Sequence, residues 1–263
     1  MMEQLSAFAD LLSGDLTDLL ATGFGVFIRI GAMMAVMPAF GEQVVPVRVR
    51  LVITLAFTAI TAPALAPIMP AAPTAPVALL TLIAAESVAG LALGIGLRLF
   101  MIALQVAGTI AAQATSLSQF FGGAGVDPQP AMSQILVVAG LALAVTAGLH
   151  VALAELILLS YEIFPPARFP DAATLADWGV AQSARAFRLA FTLAMPFLIM
   201  SLLFYVALGA INKAMPQLMV AFVGAPAITW GGLAILLLTA PMILPIWHEA
   251  FRDFAFDPTG IPR

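Results

Sequence analysis

Apolar residues fill most of this chain in long runs, and its few polar residues gather in the gaps between them. The opening stretch has a different pattern. Leu5, Phe8, Leu12, Leu16 and Leu19 recur at helical spacing while Asp15 and Asp18 fall on other faces, which predicts an amphipathic helix over residues 1–20. Six apolar segments follow, at Ala21 to Phe40, Val49 to Ile68, Pro76 to Ala112, Met132 to Phe164, Arg185 to Ile211 and Leu218 to Trp247. Apolar runs of about 18 residues or more without strand punctuation favour spanning helices over core strands. The expected fold is therefore all-α: a polytopic helical membrane protein with kinked, hairpin-like long helices. No charged or Ser/Gly-rich linker separates two blocks, so residues 1–263 read as one unit. The third and fourth segments exceed the roughly 20 residues that a simple span requires, so each is tilted, broken or extended past the lipid.

Composition strengthens this picture. The 263 residues are 62% hydrophobic and only 9% charged, too few charges to coat a soluble domain of this size. A net charge of -4, with Lys213 as the single lysine, excludes the concentrated basic surface that nucleic acid requires. With no cysteine there is neither a disulfide framework nor a thiolate metal site. The acidic start, with Glu3, Asp10, Asp15 and Asp18 and no cation, is unlike a signal peptide, so no cleaved leader is expected. Arg48, Arg50 and Lys213 fall in odd-numbered connections, whereas Arg168, Arg185, Arg188, Arg252 and Arg263 fall near even-numbered ones or the end. That split is too even to assign sidedness.

Five ionisable residues, Arg29, Glu86, Arg98, His150 and Glu155, stand inside or near the apolar runs. A charge at mid-membrane costs at least about 2.5 to 3.5 kcal/mol, so each should face protein or water. One reading is a proton relay. The other, preferred because no acid and base share a relay spacing, is interhelical pairs or ends that snorkel to an interface. Glu86 and Arg98 lie about 120° apart around one helix and should not pair with each other. Gly90 and Gly94 form a Gly-x-x-x-Gly pair suited to close helix packing. Prolines at 38, 63, 67, 196, 226, 241 and 245 predict kinks or helix ends. His150 and His248 belong to no His-Glu-x-x-His helix, and no nucleophile elbow, P-loop or dinucleotide fingerprint occurs. Neither enzymatic activity nor a cofactor is expected.

The connection over residues 115–131, TSLSQFFGGAGVDPQPA, carries the most distinctive composition. Phe120 and Phe121 supply apolar bulk, and Gly122, Gly123 and Gly125 supply backbone freedom before Val126, Asp127 and Pro128. A loop of that kind suits an opening that must be occluded and then yield; a plain interhelical turn has the same ingredients.

The whole pattern resembles the FliR/SctT family of type III export-gate subunits over almost the full chain. The first part has an arginine inside a helix (Arg29), a Pro-x-Phe-Gly exit (Pro38, Phe40, Gly41), then Pro46, Arg48 and Arg50 before a helix ending in Ala62 and Pro63. In the second half Pro196, Gly209, Asn212, Lys213, Pro216, Gln217, Gly224 and Pro226 stand in the family's order. Lys213 replaces a more usual arginine, which keeps the charge and loses the guanidinium fork. The central connection keeps Gln113 and Val126-Asp127-Pro128 but lacks the Asn-Met-Pro that usually follows. An Asn-Gly-His in the next helix survives in part as Gly148 and His150.

The resemblance implies a subunit of the flagellar export gate in the bacterial inner membrane and flagellar basal body. FliP-like and FliQ-like subunits would be its partners, with an FlhB-like protein around them, and unfolded flagellar proteins would pass through the shared conduit. It also implies that residues 120–126 act as a plug. A virulence-system relative is the nearest alternative. A stand-alone transporter using Glu86, Glu155 or His150 as a proton site is another, although no inverted repeat is visible.

Overall fold

The computed structural model describes residues 2–42, 45–70, 75–115, 131–215 and 220–259. Seven α-helices account for nearly all of them: α1 (Met2–Val36), α2 (Val47–Leu65), α3 (Pro76–Ala114), α4 (Ala131–Thr146), α5 (Leu149–Ile163), α6 (Ala172–Ala214) and α7 (Val220–Phe256). A short 3-10 turn, Ala66–Ile68, extends α2. Five of these helices contain stretches long and apolar enough to cross a membrane, and α4 with α5 makes a sixth if the two count as one broken span.

The boundaries follow local chemistry. No proline interrupts α1, so the expected amphipathic opening and the first apolar segment form one continuous helix. Pro38 then ends it: proline cannot donate to the ladder and disfavours helical geometry in the residue before it. The following turn is held by Phe40 N–H to Pro38 O (2.9 Å) and Gly41 N–H to Met37 O (2.8 Å), with Ala39 in the left-handed region at φ 68°. Pro46, at φ -58°, immediately precedes α2.

The overlong fourth segment is broken rather than tilted. Gly148, at φ 91°, interrupts it between α4 and α5, a conformation that suits glycine alone. The fifth apolar segment, expected from Arg185, is preceded by more helix, because α6 already starts at Ala172. Asp171 begins it: one carboxylate oxygen accepts both the Thr174 N–H (2.9 Å) and the Thr174 hydroxyl (2.8 Å), the usual N-terminal capping geometry. These hydrogen bonds, the backbone one foremost, hold the Asp171 carboxyl below its ordinary pKa.

At 43 residues α6 is about 64 Å long, roughly twice the hydrocarbon thickness of a bilayer. Its first turns, after the capping Asp171, carry the polar residues Asp177, Gln182, Arg185 and Arg188, the part of the helix least suited to lipid. Pro196 lies within α6, and Pro226, Pro241 and Pro245 lie within α7; all are carried inside continuous helix.

The chain divides into two units, the first made of Met1–Arg98, Gly148–Ala181 and Arg252–Arg263, the second of Leu99–Ala147 and Gln182–Phe251. In the first, α1 packs on α2 and approaches α3, and Val26, Ile30, Met33 and Met34 of α1 are buried. Gly90 and Gly94 make this approach possible. A Cβ on Gly90 would collide with the Arg29 carbonyl, and one on Gly94 would lie 2.7 Å from the Met33 oxygen. In the second unit the core is aromatic. The Trp247 indole is fully buried, stacks on Phe251 at 5.3 Å and donates to the Phe100 carbonyl at 2.8 Å. Phe100 meets Phe251 edge-on at 5.9 Å, the preferred quadrupole arrangement.

Candidate functional site

Two opposite charges in separate apolar runs meet in the first unit. Arg29 of α1 and Glu86 of α3 are 2% and 0% exposed, so neither charge has water to stabilise it. Their pairing compensates for that: Arg29 Nε donates to Glu86 Oε2 at 2.7 Å. The guanidinium then uses its remaining fork on the end of α5. One terminal nitrogen donates to the Ser160 carbonyl (3.0 Å) and hydroxyl (3.1 Å), and the other to the Phe164 carbonyl (2.9 Å). Arg29 thus occupies carbonyls at a helix C-terminus, where free acceptors and the dipole both favour a cation. The Tyr161 ring lies beneath it, 3.6 Å from the guanidinium carbon.

Glu86 is equally committed. Its Oε2 also accepts the Tyr161 hydroxyl (3.3 Å), and its Oε1 accepts the backbone N–H of Ala167 (3.0 Å). Ala167 sits at φ 55°, a conformation that costs a non-glycine residue free energy and is held here by the carboxylate. With both carboxylate oxygens engaged, the arrangement is suited to pinning three chain segments, the α5–α6 connection included, rather than to passing protons. Glu86, Gly90 and Gly94 follow at intervals of four on one face of α3, so the glycines bring α1 close enough for Arg29 to reach the acid.

The preferred sequence reading, an interhelical pair, therefore describes Arg29 and Glu86. Arg98, as expected, does not meet Glu86; it is exposed and donates to the Val36 carbonyl at 3.2 Å. The three residues a proton transporter would have used are not gathered: Glu86 is locked to Arg29, while His150 and Glu155 are exposed. Ser160, Tyr161 and the backbone of Phe164 and Ala167 were missed by sequence reading, because nothing local marks a carbonyl as a charge acceptor.

The other family-motif residues are spread along the elements. Pro38 is buried in the turn after α1, and Pro46 leads into α2. Arg50 fastens that turn by donating to the Phe40 carbonyl (2.9 Å) and the Glu42 carbonyl (3.3 Å). In the second unit Pro196 and Gly209 lie within α6, and Lys213 in its last turn complements the helix dipole. Gly224, inside α7, faces Leu208, and Pro226 is exposed one half-turn on. Phe120, Phe121, Gly122, Gly123, Gly125 and Val126, with Pro216 and Gln217, lie outside the described residues. Among the described residues no group of three or more His, Cys, Asp and Glu is arranged to hold a metal.

Large apolar side chains stand unpartnered on the second unit. On α6, Phe187, Phe191, Met195, Ile199, Leu202 and Val206 follow at intervals of three to four, each more than half exposed or close to it. On α7, Trp230 is 74% and Leu237 77% exposed. Such surfaces mark contact with lipid or with other proteins.

The profile of the bacterial export proteins, family 1, matches residues 20–254 of this chain. The flagellar biosynthetic protein FliR of Caulobacter vibrioides is 35% identical over 233 residues, 87% of this chain and 92% of the relative. FliR of Escherichia coli is 26% identical over 232 residues, 88% of each chain. FliR of Aquifex aeolicus is 27% identical over 238 residues, 87% of this chain and 88% of the relative.

Proposed function

We propose a detailed role from one premise: this chain belongs to family 1 of the bacterial export proteins. It is a membrane-embedded subunit of the flagellar type III export gate. In our reading it sits in the bacterial inner membrane at the flagellar basal body. There it joins FliP-like and FliQ-like subunits, with an FlhB-like protein against them, to form the conduit for unfolded flagellar proteins. Residues 120–126 act as its plug, Phe120 and Phe121 filling the opening and Gly122, Gly123 and Gly125 letting it yield. The work is structural and mechanical, without catalysis.

The observation that carries this reading is the unpartnered apolar surface of α6 and α7 in a chain whose buried pair, Arg29 and Glu86, is internally saturated. Buried charge is spent on holding this chain's own helices, and the apolar faces remain for neighbours. Co-expression with its FliP-like and FliQ-like neighbours should give one stable complex on affinity purification, while the chain alone aggregates. A monodisperse chain that ignores both neighbours would sink the assembly. Deleting residues 120–126 should leave the complex intact and make cells leak small solutes; unchanged permeability with normal assembly would remove the plug.

A further inference from the structure

The first unit contains a cavity of about 520 Å³ that the Arg29–Glu86 lock does not use, within the range of ligand pockets. One wall is the first three turns of α6, where Asp171, Thr174, Trp178 and Ala181 follow at helical intervals. Phe164 and Pro170 of the α5–α6 connection, Leu93, and Pro258 and Thr259 after α7 also line it. Apolar groups dominate the lining. Among the described residues its charges are both acidic, Asp171 and Asp177, each exposed, and no lysine, arginine or histidine lines it.

The walls are fixed independently of any occupant. The Phe164 carbonyl is held by Arg29 at 2.9 Å. The Trp178 indole donates to the Pro258 carbonyl at 2.7 Å, and its ring rests against Phe254 at 6.3 Å. The Asp257 carboxylate accepts the Thr259 N–H at 3.1 Å and its hydroxyl at 2.5 Å. A cavity whose lining is held by these bonds is preorganised, so filling it costs little ordering free energy. The lining from α6 belongs to its polar first turns, and its two carboxylates would repel an anionic headgroup. Two of the lining residues, Pro258 and Thr259, also lie beyond the 20–254 stretch shared with the family.

We propose that this cavity is a docking site for an extended segment of another polypeptide of the export apparatus, one that presents a large apolar side chain beside an arginine or lysine. The apolar side chain fills the space between Leu93, Phe164 and Trp178, and the cation meets Asp171 and Asp177. The inference rests on the export-gate reading only in taking the occupant to be a polypeptide.

The test uses the complex of this chain with its FliP-like and FliQ-like partners, purified in detergent, and a fluorescein-labelled peptide amide of sequence Gly-Phe-Arg-Leu. Fluorescence anisotropy should rise saturably, and a Gly-Phe-Glu-Leu peptide should not bind. D171N/D177N should weaken binding about five- to tenfold, as expected for two exposed charges. Asparagine still caps α6, so the fold is kept. Ala181→Trp, at an exposed position, should fill the cavity and abolish binding with assembly unchanged. Equal binding of the glutamate peptide, or binding that survives Ala181→Trp, overturns the proposal. So does an affinity that rises several-fold when residues 260–263 are removed, since the chain itself would then be the occupant. Failure of the wild-type chain to co-purify counts against the gate role; an intact complex that ignores the arginine peptide counts against the docking site.

Discussion

Exchanging the two buried charges, R29E/E86R, separates attraction from geometry. Coulomb energy alone is symmetric, so a swapped pair at the same separation would be as favourable as the native one. The surroundings are not symmetric. Position 29 faces the Ser160 and Phe164 carbonyls, which need donors, and position 86 faces the Ala167 N–H and the Tyr161 hydroxyl, which need an acceptor. A glutamate at 29 would set acceptor against acceptor, and an arginine at 86 donor against donor.

The single variant Glu86→Leu leaves a buried guanidinium without its counter-charge, at about 3–5 kcal/mol. At about 2–4 °C per kcal/mol for a chain of this size, the gate complex should lose 6 °C or more of thermal midpoint, read by intrinsic tryptophan fluorescence. The double variant R29M/E86L removes both charges and leaves the Phe164 carbonyl and the Ala167 N–H unpaired, at about 1–3 kcal/mol each. It should be no worse than Glu86→Leu. The swap should be as damaging as the single variant. A swapped protein within about 2 °C of wild type would refute the reasoning, because directional bonds to the backbone would then contribute nothing.

Gly90→Ala should separate α1 from α3 and lower the thermal midpoint by an amount corresponding to about 1–3 kcal/mol, whereas Gly179→Ala, where a Cβ meets nothing within 4 Å, should be neutral or slightly stabilising. Equal effects would remove the close-approach account. Asp171 titrates lower in the folded chain than in the unfolded one, so its contribution is complete above the ordinary aspartate range and is lost as pH falls through the lowered value. Wild type should therefore exceed Asp171→Ala in thermal midpoint at pH 7, with the gap closing on acidification; a pH-independent gap would contradict the cap as its cause.

The sequence made the charges legible but not their partners. Arg29 and Glu86 stand out because each interrupts an apolar run, and that alone argues for pairing. Which acid meets which base depends on helix faces, and the one local hint is that Glu86 precedes Gly90 by a single turn on the stripe where α1 lies. The backbone partners were invisible, since the Ser160 and Phe164 carbonyls that accept from Arg29 are 131 and 135 residues away from it, and the Ala167 N–H that donates to Glu86 is 81 residues from that acid. The start of α6 was concealed by polarity. A segment sought by hydropathy begins at Arg185, whereas the capping pair Asp171 and Thr174 marks the helix four turns earlier. Gly148 was visible as a residue, but its left-handed backbone, which breaks the fourth segment, was not.

Those same proline-bearing helices bear on what covers the apolar faces. Pro241 and Pro245 stand one turn apart in α7, and each withdraws the donor that would meet the carbonyl four residues earlier, at Leu237 and at Pro241 itself. Leu237 is 77% exposed and Leu238 72%, so this stretch of α7 is open on the present chain. Hydrocarbon offers no donor for a freed carbonyl, and helices in membranes tolerate such prolines where neighbouring helices or waters supply one. A face that combines large apolar side chains with unladdered carbonyls is therefore better matched by other protein helices than by lipid. In α6 the same holds for the Thr192 carbonyl opposite Pro196, between exposed Phe191 and Met195. The apolar character that first suggests a bilayer thus favours an assembly, with lipid covering what the partners leave.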